Sequence, residues 1–210
     1  MNTYHEIRLP YDEKREVLWR TLCESYFQRQ IPHHACVLEL GAGYGHFINN
    51  IKCARRIAVD RWEGLREHLQ PGVTAYIQDV TDLSFLEPES VDFAFASNLF
   101  EHLTQRDLSL LLGQLRAKLK PGGTLNILQP NYRFAFKEYF DDFTHLSVYS
   151  HTSLCGFLAS QGFRVVDCQP KFLPLTVKSR LPVWPVLIQL YLALPFKPMA
   201  RQMLIRASVA

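Results

Sequence analysis

The chain has 210 residues, of which 48% are hydrophobic and 20% are charged, and its mean hydropathy is −0.07. This composition is typical of a soluble globular protein of one domain, and it excludes a disordered chain, a collagen and a coiled coil. The net charge of +3 is too small to indicate a nucleic-acid partner, so none is expected.

The first half of the chain alternates between predicted helices and predicted strands. Residues 12–29 carry apolar side chains at helical spacing among charged ones, which predicts a helix. Residues 35–40 form a short apolar run that ends at glycines, as a buried strand does. The segments that follow are a helix over 47–53, a strand over 56–59, a helix over 62–69 and a strand over 73–77.

The second half continues this alternation. Residues 91–96 lack polar alternation, which predicts a strand covered on both faces. The clearest helix is 104–120, where Thr104 and Asp107 have capping-box spacing and leucines form the apolar stripe. The remaining elements are a strand over 124–128, a helix over 150–160, a strand over 163–168 and a candidate seventh strand over 203–209.

Strands that alternate with helices predict an open, mostly parallel α/β sheet with helices on both faces. Ligands of such sheets bind beyond the carboxyl ends of the strands. The loops that follow the predicted strands are therefore the place to look for a functional site.

The loop after the first strand contains Gly41, Gly43 and Gly45, which let the backbone turn tightly and approach a ligand. Their G-x-G-x-G spacing differs from the G-x-G-x-x-G of dinucleotide sites. Glu39 lies at the end of the strand, where a carboxylate would repel a pyrophosphate and favour a cation. A tight turn without a ligand is the alternative for this loop taken alone.

Acidic residues also end the next two strands. Asp60 follows Gly41 at about the spacing with which an acid binds the ribose hydroxyls of a nucleoside, and the flat face of Trp62 can stack on an adenine. Asp79 follows the third strand, where a carboxylate can accept a hydrogen bond from the adenine amino group. Taken singly, Asp60 can equally be a helix N-cap and Asp79 a turn residue.

Together with two later segments, these loops resemble the motifs of class I S-adenosylmethionine-dependent methyltransferases. The matching segments are, in order, ELGAGYG at 39–45, Asp60, QDV at 78–80, SNLFEHL at 97–103 and LKPGG at 119–123. They occur in the order and spacing of the family over about residues 35–168. Within the family, the chain is similar to the small-molecule branch of bacterial polysaccharide and lipid pathways.

The resemblance implies S-adenosylmethionine as the cofactor and a position for each of its parts. The residues implied are Glu39, Gly41, Ala42, Gly43 and Gly45 for the methionine part, Asp60 for the ribose hydroxyls with Arg61 and Trp62 beside the adenosine, Asp79 and Val80 for adenine, and Ser97 and Asn98 for the sulfonium.

The resemblance also implies a Rossmann-like, doubly wound α/β fold in three layers. Its seven-stranded sheet is mostly parallel, with an antiparallel last strand. Residues 1–210 then form a single methyltransferase domain. Its parts are an N-terminal helical segment over 1–34, the cofactor-binding core over 35–168, a helical insertion over 169–202 and the last strand over 203–210.

The insertion contains the most apolar stretch of the chain, residues 181–196. Lys178 and Arg180 precede it, Lys197 and Arg201 follow it, and it is too short to span a bilayer. Three interpretations stay open for this stretch: core packed on the sheet, a lid over the acceptor pocket, or peripheral contact of 178–201 with an anionic membrane.

Methyl transfer depends mainly on alignment, because the sulfonium already activates the methyl group. A general base is needed only for an acceptor that is protonated at pH 7, such as a hydroxyl. His145 with Asp141 or Asp142 is the predicted base and its orienting partner, and His102 is a further candidate. Structural histidines are the alternative. No metal is expected, because these residues lack the spacing of a metal motif.

The sequence therefore predicts a transferase of class EC 2.1.1 that methylates a small-molecule, glycan or lipid-linked acceptor, at oxygen. A non-catalytic cofactor-binding partner subunit and an RNA methyltransferase are the alternatives. The glycine spacing and Glu39 disfavour a nicotinamide-dependent oxidoreductase. Five cysteines without a C-x-x-C pair and a polar stretch over 1–10 indicate a cytoplasmic protein, with peripheral contact at the inner membrane face left open.

Overall fold

A single seven-stranded sheet organises the computed structural model, which describes residues 12–175 and 183–210. The strand order is β3-β2-β1-β4-β5-β7-β6. The strands are β1 Cys36–Leu40, β2 Arg55–Asp60, β3 Val73–Ile77, β4 Val91–Ser97, β5 Leu119–Pro130, β6 Phe163–Pro174 and β7 Ala200–Val209. Strands β1 to β5 pair in parallel, and β7 runs antiparallel to both β5 and β6. The predicted Rossmann-like sheet with an antiparallel last strand is confirmed.

Helices cover both faces of the sheet and give the fold three layers. They are α1 Glu13–Ser25, α2 Leu65–His68, α3 Gln105–Lys118, α4 Tyr132–Ala135, α5 His151–Ser160 and α6 Pro185–Ala193. Leucines of α3 and α5 pack on one face, in a core that includes Leu111 and Leu154. Leu22 of α1 and Ile188 of α6 belong to the core on the other face.

The helix starts agree with their sequence signals. Thr104 caps α3 by accepting a hydrogen bond from the backbone N–H of Asp107, and Ser150 forms a reciprocal capping box with Ser153 at α5. These bonds satisfy N–H groups that a helix leaves without partners at its first turn.

Strand β5 is longer than the predicted 124–128, because it begins at Leu119 and includes the Pro-Gly-Gly segment that follows the predicted helix 104–120. Gly122 has φ +80°, and a Cβ atom on Gly123 would lie 2.9 Å from the carbonyl oxygens of Lys120 and Val91. The segment therefore forms an irregularity within the β4–β5 pairing, where the register shifts between Val91 and Phe93.

The last two strands are also longer than predicted. β6 continues to Pro174 because its second half still pairs with β7, as Leu173 does with Gln202. The segment between them is therefore 175–199, of which 176–182 lie outside the described residues, as do Lys178 and Arg180.

Helix α6 matches the predicted helix of the apolar stretch and has two different faces. Ile188 is buried, and α6 packs against α1. Large apolar side chains of the other face are exposed: Trp184, Val186, Leu187, Leu190 and Leu194. Part of the stretch is thus core. Among the described residues, no helix is long and apolar enough to cross a membrane.

Candidate functional site

The loop after β1 turns sharply at the carboxyl edge of the sheet. Gly41, Gly43 and Gly45 have φ angles of +64°, +51° and +66°, which residues with a side chain rarely adopt. A Cβ atom on Gly45 would also lie 2.6 Å from Cδ2 of Leu69. The path of the backbone therefore requires these glycines. The loop is followed by a 3₁₀ turn over Ile48–Asn50, so the predicted helix over 47–53 is wrong.

The side chain of Glu39, in β1, binds the backbone at the far end of the glycine loop. The side chain is buried, and Oε2 accepts a hydrogen bond from the backbone N–H of Ile48 at 2.9 Å. Burial raises the pKa of Glu39 to about 8, and the charge of Asp60 also raises it, against the lowering effect of the Ile48 bond. A cationic group placed beside Glu39 would favour its ionised form, which suits the amino group of a methionine moiety.

Asp60 connects the glycine loop with the loop after β2. Its Oδ2 accepts from the N–H of Gly43, and its Oδ1 accepts from the N–H of Trp62, both at 2.8 Å. A carboxylate oxygen can accept a second hydrogen bond, so these contacts leave capacity for ribose hydroxyls. The sequence indicated the ligand-facing role of Asp60 and missed this bracing role.

Trp62 belongs to an aromatic group that the motifs did not indicate. Its ring stacks on His68, with centroids 5.4 Å apart and planes 19° apart, and the edge of Tyr44 approaches it at 5.1 Å. A Cβ atom on Gly64 would lie 2.3 Å from the indole, so the ring folds back over its own loop. One face of Trp62 is therefore occupied by His68, while Arg61 beside it is exposed.

The loop after β3 places Asp79 and Val80 differently. Val80 is buried in the core, whereas Asp79 is exposed and accepts from the N–H and the hydroxyl of Thr81 at 2.9 and 2.8 Å. Asp79 thus makes the local turn that the sequence left as its alternative. An exposed carboxylate with a second oxygen can still accept from an adenine amino group.

Ser97 and Asn98 follow β4, next to the glycine loop. Asn98 has φ +48°, and its backbone N–H donates to the carbonyl of Leu128 at 2.8 Å. Its Oδ1 accepts from Nε2 of Gln202 at 3.1 Å, and its Nδ2 donates to Oγ of Ser97. The last strand, β7, therefore contributes to this edge, a contact between residues about a hundred positions apart that no local pattern signals.

The two candidate histidines come together beside this edge. The ring centroids of His102 and His145 are 4.9 Å apart. Nδ1 of His145 lies 2.6 Å from the carbonyl oxygen of Tyr139, and Nδ1 of His102 lies 3.2 Å from the carbonyl oxygen of Thr144. Burial lowers the pKa of His102, and the charges of His145 and Arg61 lower it further.

Asp141 does not fill its predicted role as the orienting partner of His145. Its side chain is exposed, and the orienting contact to His145 is made by the main-chain oxygen of Tyr139. A hydrogen-bond acceptor at Nδ1 fixes the tautomer and orientation of a histidine ring, and a backbone carbonyl can do this as well as a carboxylate. The neighbouring acid, Asp142, accepts a hydrogen bond from the hydroxyl of Thr144 at 2.6 Å. Against the opposing effect of burial, this bond and the charges of His145 and His102 lower the pKa of Asp142.

Glu101 lies within the motif at 97–103 and has no predicted role from the sequence. It is fully buried beside His102, and within the described part of the chain neither carboxylate oxygen has a hydrogen-bond partner. Burial raises the pKa of Glu101 to about 8. A buried acid directly before a histidine was a signal in the sequence, but only the fold shows that Glu101, His102 and His145 present ligand atoms within 4.8 Å of one another.

A cavity of about 510 Å³ lies away from these residues, near the amino-terminal end of β2. Polar side chains such as Asn49, Lys52 and Arg56 line it. The motif residues do not line it; they lie at the carboxyl edge of the sheet, where folds of this type bind their ligands.

A protein-family model described as "Methyltransferase domain" matches residues 11–167 of the chain. Among curated proteins, phosphoethanolamine N-methyltransferase 1 of Triticum aestivum is 32% identical over 101 residues. That alignment covers 43% of this chain and only 20% of the wheat protein.

Solved structures show the same fold. A SAM-dependent methyltransferase from Archaeoglobus fulgidus superposes with a TM-score of 0.70 at 21% identity, covering 97% of this chain and 96% of that one. The methyltransferase bound to the Trm112 activator of Haloferax volcanii gives a TM-score of 0.70 at 14% identity, with coverages of 95% and 99%.

Proposed function

Because this chain belongs to the class I S-adenosylmethionine-dependent methyltransferases, we propose that it methylates a small-molecule, glycan or lipid-linked acceptor, at oxygen. The cofactor is S-adenosylmethionine. The observation that carries the oxygen target is the pair formed by His145 and His102. A hydroxyl is protonated at pH 7 and needs a group to activate it, whereas methyl transfer to an unprotonated acceptor needs alignment alone.

The cofactor half of the proposal assigns one task to each loop at the carboxyl edge. Glu39 and the glycine loop hold the methionine part, and Asp60 holds the ribose. Asp79 and Val80 bind adenine, and Ser97 and Asn98 line the sulfonium. Positive φ angles at the glycines and the bonds from Asp60 to both adjacent loops support this arrangement, because they set the backbone before the ligand arrives.

The acceptor side is built by the segment after β5. Phe140, Phe143 and Leu146 in this segment are exposed, close in sequence to His145. Exposed apolar groups next to a polar reaction centre suit an acceptor that itself carries apolar surface, such as a lipid-linked sugar. His145 activates the acceptor hydroxyl, with His102 beside it.

Peripheral contact with a membrane through 178–201 is part of this proposal. The exposed side chains of α6 and its flank, Trp184, Leu190 and Phe196 among them, support it. Two of the basic residues expected to help are already engaged: Lys197 donates to the carbonyls of Tyr191, Leu192 and Leu194, and Arg201 pairs with Glu138. Apolar insertion, more than charge, would therefore hold the protein at the surface.

The test is the release of S-adenosylhomocysteine from S-adenosylmethionine in the presence of defined acceptors. The set contains sugars, nucleotide-linked sugars, polyprenyl-linked sugars, phenols and RNA, and the product is analysed for the methylated atom. An O-methylated glycan, lipid-linked sugar or small molecule supports the proposal. Cofactor binding without turnover on any acceptor would favour the partner-subunit alternative, and turnover on RNA alone would contradict the proposal.

A further inference from the structure

We propose that Glu101, His102 and His145 form a binding site for one divalent transition-metal ion at the carboxyl edge of the sheet. Glu101 and His102 are consecutive residues of the 3₁₀ turn Phe100–His102, and His145 lies in the segment after β5. One ligand atom of each residue lies within 4.8 Å of the other two. Ions of this kind hold nitrogen and oxygen ligands at about 2.0–2.2 Å. A small inward movement of the three side chains would bring their ligand atoms to this distance from a central ion.

The carboxylate of Glu101 is the observation that points to a ligand. It is fully buried, and neither oxygen has a hydrogen-bond partner among residues 12–175 and 183–210, although its backbone carbonyl accepts from the N–H groups of Leu146 and Ser147. A buried polar group without a partner is rare in native proteins, and a bound ion is one of its standard explanations. One ring nitrogen of each histidine lies within 4.8 Å of a carboxylate oxygen of Glu101.

Both histidines are held in the tautomer that a metal ion needs. Nδ1 of His145 donates to the carbonyl oxygen of Tyr139 at 2.6 Å. Thr144 gives its hydroxyl proton to Asp142, so Nδ1 of His102 is the donor toward the carbonyl and hydroxyl oxygens of Thr144. Each ring then presents Nε2 as its acceptor nitrogen, and such hydrogen bonds at the second nitrogen are the usual support of metal-binding histidines.

The donor set selects the class of ion. Two imidazole nitrogens and one carboxylate oxygen suit Zn²⁺, Mn²⁺, Co²⁺ or Fe²⁺, whereas Mg²⁺ and Ca²⁺ prefer oxygen ligands alone. Three protein ligands leave at least one coordination position open, as in catalytic sites. The ion is then a centre that can take one further oxygen.

The role of the ion rests on the proposed function. An acceptor hydroxyl that occupies the open position would lose its proton to water more easily, because a bound cation lowers the pKa of a coordinated hydroxyl. Its oxygen forms the bond to the methyl carbon while the carbon–sulfur bond breaks, and the electron pair goes to sulfur to leave a neutral thioether. His145 then activates the acceptor as a metal ligand and not as a direct base.

The experiment titrates the full chain with Zn²⁺ and with Co²⁺, without cofactor or acceptor, by calorimetry and visible absorption. We expect one equivalent of each ion to bind, with Co²⁺ giving the absorption of a nitrogen- and oxygen-ligated site, and no binding of Mg²⁺. Glu101→Gln, His102→Ala and His145→Ala should each weaken binding at least about tenfold, the lower range for damage to a metal site. His33→Ala and His34→Ala, at exposed histidines, serve as controls and should bind like the wild type.

Thermal unfolding keeps the test valid if a variant folds poorly. Zn²⁺ should raise the melting temperature of the wild type and leave that of folded Glu101→Gln unchanged. Absence of Zn²⁺ and Co²⁺ binding by the wild type, or equal binding by all three variants, would overturn the site. Because no acceptor is present, failure here leaves the methyltransferase proposal standing. A metal site without any methyl transfer would contradict that proposal and not this one.

Discussion

Asp60 has two tasks, and its substitution tests both. The residue braces Gly43 and Trp62 and is the proposed partner of the ribose hydroxyls. Asp60→Ala should weaken S-adenosylmethionine binding by roughly 1.5–3 kcal/mol, the range for hydrogen bonds to a charged group. Isothermal titration measures this as a dissociation constant raised about 10- to 150-fold.

Asp82→Ala is the matched control, because Asp82 is exposed and its carboxylate accepts from the backbone of Ser84. It should bind the cofactor like the wild type. NAD should give no heat with any of the three proteins. An Asp60→Ala variant with unchanged affinity would remove Asp60 from the ribose site.

Glu39 makes stability depend on pH in a direction opposite to that of a salt-bridged acid. The folded protein keeps the Glu39 proton up to a pKa of about 8, whereas the unfolded chain loses it near the ordinary value of 4.5. Between these values the native state binds more protons, so the free energy of unfolding falls as pH rises. The slope from this group is at most about 1.4 kcal/mol per pH unit.

Glu39→Gln should flatten that slope and raise stability relative to the wild type toward pH 8. The glutamine oxygen can still accept from Ile48, while the group no longer ionises. Urea unfolding without cofactor, from about pH 5 to about pH 8, measures the effect. The exposed Glu87→Gln is the control. Parallel curves for wild type and Glu39→Gln would contradict the raised pKa.

His145 should be needed for turnover and not for cofactor binding. With an acceptor in hand, His145→Ala should lower turnover by roughly 10²–10⁴, the usual contribution of a proton-transferring or equivalent group. Its affinity for S-adenosylmethionine should stay near that of the wild type, as should both properties of His34→Ala. A loss of less than about tenfold would assign His145 to structure and leave alignment as the main catalytic effect.

Some candidate residues can be predicted from the sequence around them, whereas others depend on contacts with distant segments of the chain. Glu39, Asp60 and Asp79 lie at or just beyond the carboxyl ends of predicted strands, so the sheet topology alone brings them to one edge. Glu101 lay inside a recognised motif, yet its burial and its approach to His145 depend on how the segment after β5 folds back. Asp141 and Asp142 are both predicted partners of His145 because they are acids near it in the chain. Chain distance could not show that Tyr139 would supply the contact through its backbone.

At the scale of elements, replacing glycine by alanine should raise the free energy of unfolding at two positions and lower it at a third. Gly113 in α3 and Gly156 in α5 are exposed, and a Cβ atom on either would meet no described residue within 4 Å. Alanine at either position should stabilise the protein by about 0.5–1 kcal/mol, because glycine weakens helix interiors. Gly162 ends α5 with φ +81°, and a Cβ atom there would lie 2.9 Å from Cζ of Arg116.

Gly162→Ala should therefore destabilise the protein by roughly 1–2 kcal/mol, the cost of left-handed backbone for a residue with a Cβ atom. Urea unfolding of the three variants gives the comparison. Stabilisation by Gly162→Ala would contradict the left-handed backbone at Gly162. Destabilisation by both Gly113→Ala and Gly156→Ala would contradict their exposed positions in α3 and α5.

Element predictions were most accurate where short-range chemistry decides. The caps Thr104 and Ser150 start α3 and α5 where the sequence indicates. The ends of β5 and β6 were less accurate, because β5 begins early through pairing of Leu119 with Val91 of β4, and β6 continues to Pro174 through pairing with β7. Partners that are distant in the chain set those ends, and no local window contains them.

At the scale of the whole molecule, the apolar stretch near the C-terminus is core on one side only. Ile188 joins the core beneath α6, as an ordinary packed helix does, while the opposite face of α6 remains exposed. A sequence of nearly uniform hydrophobicity carries little information about which side faces the core. The packing of α6 on α1 settles the orientation, and only the outward face can serve an external partner.

That outward face predicts binding to lipid vesicles. Trp184, Leu190 and Phe196 are 62%, 59% and 70% exposed. Removing such a side chain fully from water contributes roughly 1.5–3 kcal/mol, so three together give useful reversible attachment. Flotation with anionic liposomes at low salt should carry the protein upward. High salt should reduce this only in part, because Lys197 and Arg201 are engaged within the protein.

The triple variant Trp184→Gln, Leu190→Gln, Phe196→Gln should stay in the soluble fraction. Its fold should be intact, because surface substitutions of this kind change stability little. Leu110→Gln is the matched control, since Leu110 is a 52% exposed apolar residue of α3, on the face of the sheet opposite α6. It should float like the wild type. If the wild type itself remains soluble at low salt, the membrane contact is wrong, and the exposed face of α6 is left as a lid or a protein-binding surface.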